Sequence, residues 1–228
     1  MIRMFTGGPG NGKSAHMAMM IRDALRRGQN VISTVPINTD YVSEKGKRRI
    51  GDYIRIPLEE ITPEHLYIYM INMHEKDKEH QTLVFMDECQ VIFNSREWNK
   101  PGRKDWLYFF QSHRHLGFGV YLITQSMSFI DKQIRELIEI EVKHRKASNL
   151  LWWFPFTLFI QREEWSQIKS TKNKISTSFK IGWPSIFKIY DSYTIYNEIA
   201  EKYEHLKTEN WREILQSGEN LKELVFKN

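Results

Sequence analysis

The sequence predicts an α/β fold, a mainly parallel sheet flanked by helices, with a small β-rich and helical extension at the carboxyl end. Short apolar runs of strand length alternate with segments of helical period, and a glycine-rich loop joins the first run to the first helix. Thr82–Met86 (TLVFM) and Val120–Thr124 (VYLIT) are continuous apolar runs, as expected of strands covered on both faces. A length of 228 residues suits one α/β domain, or one with a modest appendage. Residues 1–150 read as the core and 151–228 as the extension, within the same domain.

The elements follow in order. Ile2–Phe5 is a short strand. Lys13–Arg26 carries Ala15, Met17, Ala18, Ile21 and Leu25 at helical spacing, and Gly28 closes it. Asn30–Val35 is a strand ending at Pro36, and Tyr53–Ile56 is another. Thr62-Pro63-Glu64 caps a helix that runs to Met73. His74–His80 is a charged connector before the buried strand at Thr82. Trp106–His113 and Gln133–Ile138 read as helices, and Ile140–Arg145 alternates and turns basic. Beyond it, Leu151–Arg162 and Phe179–Tyr190 read as aromatic strands separated by a polar segment, Ser170–Ser178. Tyr196–Phe226 reads as a charged helix. Strands separated by helices predict crossover connections and parallel pairing.

Composition narrows the function. With 41% hydrophobic and 27% charged residues the chain is globular. A formal charge of +5 is compatible with a polyanionic partner but does not demonstrate one. The single cysteine, Cys89, rules out an internal disulfide and a multi-cysteine metal site, and suits a reducing, cytosol-facing compartment. The start, MIRMFTGG, has no signal-peptide pattern. The longest apolar stretch, Leu150–Ile160, is interrupted by Pro155 and falls short of the ~20 residues a membrane-spanning helix needs.

Gly7-Gly8-Pro9-Gly10-Asn11-Gly12-Lys13-Ser14 fits the phosphate-loop pattern G-x-x-x-x-G-K-[ST] in full. Glycines let successive amides turn toward phosphate oxygens, and the helix N-terminus behind them favours anionic charge. Gly8, Pro9, Gly10, Asn11, Gly12, Lys13, Ser14 and Ala15 would line the nucleotide. Lys13 would reach the β- and γ-phosphates of ATP, and the Ser14 hydroxyl would ligate Mg2+. The pattern therefore predicts a P-loop NTPase.

Asp87-Glu88 ends the buried strand Thr82–Met86. Asp87 there can hold magnesium through water, and Glu88 can polarise an attacking water. The alternative is that both acids merely end a strand. Gln125 ends the second buried strand, where an amide can contact the γ-phosphate and the water. Arg114 is a candidate arginine finger for a neighbouring subunit's nucleotide, with Arg135 a second candidate. A solvated surface arginine is the plainer reading of each. His113-Arg114-His115 lacks metal-site spacing, and His115 reads as structural. Cys89 reads as a buried apolar residue. Lys143–Lys146 (KHRK) reads as a solvated charge run or a contact to a nucleic-acid backbone or an anionic membrane surface. Trp152–Phe156 (WWFPF) reads as core, subunit contact or membrane-surface anchor.

The chain resembles the zonula occludens toxin (Zot) family, whose other members are the gene I assembly ATPases of filamentous phages. The resemblance rests on Gly7–Ser14, on Val84–Gln90 (VFMDECQ), on Arg114–Gly117 (RHLG) and on Tyr121–Ser126 (YLITQS). These stretches fall in order within residues 1–146; the phosphate loop is generic, and the other stretches are more specific. The resemblance implies a RecA-like core of the additional-strand class, related to HerA/FtsK-type translocases. It implies work at the cytoplasmic face of the inner membrane, using ATP to assemble and extrude phage particles or move their single-stranded DNA. A homo-oligomeric ring is expected with it, a hexamer being what a trans-acting arginine suits. Coat proteins or a membrane-spanning partner are the other contacts it implies. Longer family members continue into a membrane-spanning helix and an extracytoplasmic segment that this sequence lacks. It is either a short homologue or a cytoplasmic piece of a longer protein. A small-molecule kinase and a non-hydrolysing nucleotide switch are the competing readings.

Overall fold

The computed structural model describes residues 1–97, 101–147, 157–168, 174–182 and 185–190, with Ala200 and Glu204. Two compact units divide the chain, Met1–Tyr190 and Asp191–Asn228. The helical reading of Tyr196–Phe226 and the aromatic block Trp152–Phe156 lie outside the described residues, apart from Ala200 and Glu204.

The strands are β1 (Ile2–Thr6), β2 (Asn30–Ser33), β3 (Tyr53–Arg55), β4 (Thr82–Met86), β5 (Phe118–Ile123), β6 (Ile140–Lys146), β7 (Thr157–Trp165) and β8 (Lys174–Gly182). The helices are α1 (Lys13–Arg26), α2 (Thr39–Val42), α3 (Pro63–Met73), α4 (Arg103–Ser112) and α5 (Lys132–Leu137). All eight strands join one sheet in the order β3-β2-β4-β5-β1-β6-β7-β8. From β3 across to β6 every pairing is parallel, and β7 and β8 add on antiparallel. This is the α/β, mainly parallel architecture the sequence predicts. β5 lies between β1 and β4, which is the additional strand the resemblance implies.

Period-two alternation divides the core between the two faces of the sheet. Ile2, Met4, Val84, Met86, Val120 and Leu122 pack with Leu66 of α3, Trp106, Phe109 and Phe110 of α4, and Ile134 of α5. Phe5, Leu83, Phe85 and Ile123 face the other way, onto Ala15, Met17, Ala18, Ile21 and Leu25 of α1 and Val42 of α2. β4 is buried at every position, which explains why its sequence shows no alternation. Gly28 closes α1 as expected, at φ 80° with its N–H donating to Leu25 O at 2.9 Å. Asn38 caps the short α2, its Oδ1 accepting the Tyr41 N–H.

Two expectations for the carboxyl-terminal strands need correction. From Lys174 onward the polar segment Ser170–Ser178 is strand, and the aromatic stretch Phe179–Tyr190 is strand only to Gly182, after which Ile186–Lys188 form a 3₁₀ turn. β8 pairs only with β7 at the sheet edge, so most of its side chains face solvent and need not be apolar. β7 likewise runs past Arg162 to Trp165, because the charges there are paired rather than solvated. Glu163 meets Arg3 at 3.2 Å, and Glu164 meets Lys143 at 2.8 Å and Arg162 at 2.6 Å.

The antiparallel addition is tied into the core through Phe159 of β7, which is buried beside the loop before α1. Phe159→Ala is expected to destabilise the protein by about 3–5 kcal/mol, measured by denaturant unfolding. Stability at the wild-type level would show that β7 merely decorates the sheet.

Candidate nucleotide site

Parallel pairing brings the carboxyl ends of β1, β2, β4, β5 and β6 to one edge of the sheet. Every candidate residue that converges does so there. β1 leads through Gly7–Gly12 into α1, whose first residues are Lys13 and Ser14. Gly7 adopts φ 143°, its N–H donates to Gln125 O at 3.2 Å, and a Cβ on it would lie 2.6 Å from His144 O. Gly12 adopts φ 88°, and a Cβ on it would lie 2.3 Å from the Phe159 ring. Both positions require glycine for conformation and for space. Asn11 steadies the outer part of the loop, its N–H donating to Gly8 O at 3.3 Å and its Oδ1 accepting the Lys146 N–H at 3.4 Å. Lys13 Nζ donates to Gly7 O at 2.8 Å and Gly8 O at 3.2 Å, so its ammonium lies folded onto the loop.

Asp87 faces this loop across the intervening β5. Its Oδ2 accepts from Ser14 Oγ at 3.3 Å and its Oδ1 from the Glu88 N–H at 2.9 Å, while its own N–H donates to Thr34 Oγ1 at 3.0 Å. Burial pushes the carboxyl up to about 6; the Glu88 amide opposes that rise, the Glu88 charge adds to it, and Lys13 and Ser14 oppose it. Two hard oxygen donors this close, one of them a carboxylate, fit a magnesium ion that keeps several of its waters. Glu88 follows in the left-handed conformation, φ 49° and ψ 36°, with its carboxylate bonded to the Gln90 amide. The thiol of Cys89 is fully buried and burial pushes it well up, which removes it from consideration as a nucleophile.

Other sequence-predicted residues stand further out. Gln125 comes to the loop through its backbone, and its side chain is exposed. Arg114 precedes β5, at the amino-terminal edge of the sheet, away from this chain's own phosphate loop. There it is exposed and pairs with Glu79 through Nε and Nη2, both at 3.3 Å. Arg135 lies on α5. His113 is buried, accepting from the Met1 amino group at 2.8 Å and donating to Phe110 O at 2.6 Å. Among the described residues no cluster of acids, histidines and cysteine could hold a metal by itself. The Lys143–Lys146 run is not one charged patch. His144 is buried, and of the exposed Lys143, Arg145 and Lys146 the first is paired with Glu164.

Sequence reasoning missed three side chains. Thr34, at the end of β2, anchors the Asp87 amide; a polar residue closing an apolar strand was its signal. His16, half-buried, and His144, buried, form a pair beneath the loop, with Nδ1 of His16 donating to Nε2 of His144 at 2.9 Å. His144 Nδ1 donates in turn to Val142 O at 2.9 Å, an assignment that follows from the acceptors available. His16 also stacks on Phe5 at 4.7 Å. Burial drives both imidazoles down, to about 3 for His16 and about 4 for His144. The alternation of Ile140, Val142 and His144 on one face of β6 made the second of these legible.

Two pH effects follow, of opposite sign. Because folding raises the Asp87 value, its charge destabilises the nucleotide-free protein at neutral pH and ceases to do so as pH falls below about 4. Asp87→Asn is therefore expected to raise stability at pH 8 by about 1–3 kcal/mol, an advantage that should vanish near pH 4 in melting curves. The histidine pair acts the other way. Its stability is full above the ordinary imidazole value of about 6.5 and falls as pH drops toward 4, because the unfolded chain takes up protons the folded pair refuses. Replacing both with leucine should flatten this acid limb; an unchanged limb would assign it to other groups.

Comparison with known proteins places the chain. Residues 1–196 match the family model described as Zonular occludens toxin (Zot). The Gene 1 protein of Enterobacteria phage fd is 28% identical over 156 residues, covering 68% of this chain and 44% of that protein. The Gene 1 protein of Salmonella phage IKe is 25% identical over 150 residues, covering 66% and 41%. The chain thus spans less than half the length of these relatives. The crystal structure of the N-terminal domain of zonular occludens toxin from Neisseria meningitidis superposes with a TM-score of 0.51 at 19% identity, covering 83% of this chain and 98% of that one. That likeness is one of fold, an α/β core with a mainly parallel sheet. The chain belongs to the Zonular occludens toxin (Zot) family.

Proposed function

We propose that this chain binds ATP with magnesium and hydrolyses it as an oligomeric motor in filamentous phage assembly or export. The observation that carries this reading is the convergence of Lys13, Ser14, Asp87 and Glu88 at one edge of the sheet, with Ser14 Oγ 3.3 Å from Asp87 Oδ2 across an inserted strand.

The roles follow from the chemistry of each group. The backbone N–H groups of the loop from Gly10 to Ala15, with that of Gly8, cradle the phosphates. Lys13, held at neutral carbonyls in the free protein, exchanges them for phosphate oxygens, a stronger charge-assisted contact. Ser14 and Asp87 would hold magnesium, which supplies charge neutralisation on the phosphates. Glu88 accepts a proton from the attacking water, and Gln125 contacts the γ-phosphate side of the site. Arg114 sits at the far edge of the sheet, so the role proposed for it is toward a neighbouring subunit's nucleotide. Its exposed pairing with Glu79 costs little to release. Family membership and the likeness to phage Gene 1 proteins support the assembly setting. A homo-oligomeric ring, single-stranded DNA or coat proteins as partners, and work at the inner membrane belong to the same proposal. No helix among the described residues is long and apolar enough to cross a membrane.

Steady-state hydrolysis of ATP with magnesium tests this, across protein concentration and with or without single-stranded DNA. Turnover is expected to rise with concentration and DNA. Lys13→Ala should abolish nucleotide binding, and Glu88→Gln should keep binding but lower kcat by about 10²–10⁴-fold. Tight binding without turnover under every condition would reject the motor in favour of a nucleotide switch.

A further inference from the structure

We infer that Gln90 is the positioning residue for the Glu88 carboxylate. The inference rests on the reading of Glu88 as the group that activates water. Gln90 belongs to the 3₁₀ turn Cys89–Val91 that immediately follows the acidic pair, and its Nε2 donates to Glu88 Oε2.

The turn is pinned on both sides of Gln90. Cys89 and Phe93 are completely buried, the Phe93 N–H donates to Cys89 O at 2.9 Å, and the Val91 N–H donates to Glu88 O at 3.0 Å. Upstream, Asp87 is fixed by Thr34 and Ser14. Glu88 itself occupies a left-handed conformation that non-glycine residues rarely adopt, and which persists because its neighbours over-determine it. That backbone fixes where the side chain starts, but it leaves the side-chain torsions free. The Gln90 amide removes that freedom. It takes one carboxylate oxygen, Oε2, and leaves Oε1 to accept a proton.

The far end of the same amide shows what sets its orientation. Gln90 Oε1 is buried and finds no hydrogen-bond partner among the described residues. A glutamine placed for packing alone would have its acceptor satisfied, since buried polar atoms nearly always are. Rotating the amide would not help, because it would set an oxygen against the Glu88 carboxylate. The orientation is therefore dictated by Glu88, at the expense of the amide's own carbonyl. Misaiming a reacting group by an ångström lowers the rate far more than it lowers substrate binding.

The test compares Gln90→Leu and Gln90→Glu with the wild-type chain under saturating ATP and magnesium. Leucine keeps much of the volume without a donor, and glutamate keeps the shape but opposes Glu88 with a like charge. Both should lower kcat by about 10–100-fold, with the dissociation constant for a non-hydrolysable ATP analogue and the melting temperature unchanged. Adding Gln90→Leu to Glu88→Gln should lower kcat no further, since the carboxylate it aims is already gone. Wild-type kcat in Gln90→Leu beside an inactive Glu88→Gln would overturn this inference alone. Wild-type turnover in Glu88→Gln would overturn the reading of Glu88 and this inference with it. Weakened analogue binding or a lowered melting temperature in both Gln90 variants would mark a structural residue and overturn the inference too.

Discussion

A carboxylate held out of water governs much of this molecule. Asp87 closes a strand that is buried at every position, and only the strand's neighbours keep its charge tolerable. A buried acid needs hydrogen bonds to remain an anion, and here the carboxylate accepts them from Ser14 and from the Glu88 amide, while the Asp87 N–H is held by Thr34 Oγ1. Those partners lie on α1, on the turn after β4 and after β2. Holding them together requires β4 to keep its register with β2 and β5, and β5 to keep its register with β1. The sheet order is thus also the site's address. The same arrangement makes the empty protein less stable than it could be, a cost that binding a cation and a polyanion would relieve.

The second constraint is steric and reaches the loop from the opposite side. Gly7 lies against His144 of β6, and Gly12 lies against Phe159 of β7. The loop is therefore framed by β5 through Gln125 O, by β6 through His144 and Lys146, and by β7 through one aromatic ring. Beneath it, the His16–His144 bond joins the first turn of α1 to β6. Two neutral imidazoles suit that position, since a cation under Lys13 would be desolvated and repelled; His144 already feels the Lys13 charge. The antiparallel strands contribute to the site by fixing the loop's shape rather than by supplying a reacting group.

Much of this was legible in the sequence, and what escaped it has physical reasons. The strand that precedes the loop, α1, α3 and β4 could be read because each carries a strong local signal: a glycine motif, a helical stripe, a Thr-Pro cap, an unbroken apolar run. Lys13, Ser14, Asp87 and Glu88 were legible because their chemistry is attached to strand ends. β8 was misread because an edge strand has no buried face to impose alternation. β7 was read short because Glu163 and Glu164 look like a loop until Arg3, Lys143 and Arg162 are seen opposite them. Thr34, His16 and Gln90 act through partners distant in sequence or through a turn with an unusual backbone, and neither leaves a periodic trace. The Lys143–Lys146 run looked like one patch because composition cannot tell which side chains an alternating strand turns inward.

Placement of β5 between β1 and β4 separates two roles that the sequence motifs run together. Gln125 and Arg114 flank the same strand at its two ends. A six-residue strand is about 20 Å long, and the parallel register puts Gln125 at the phosphate edge and Arg114 at the other. The Gly7 N–H donates to the Gln125 carbonyl, so the end of β5 and the loop are tied together. Arg114 has no such tie to the loop; its side chain is bonded to Glu79. A single copy therefore assembles the phosphate loop, both acids and the amide, while the arginine that belongs to the same sequence signature faces outward. If that arginine contributes to hydrolysis, geometry leaves it only another copy's nucleotide, and turnover must then depend on assembly rather than on folding alone.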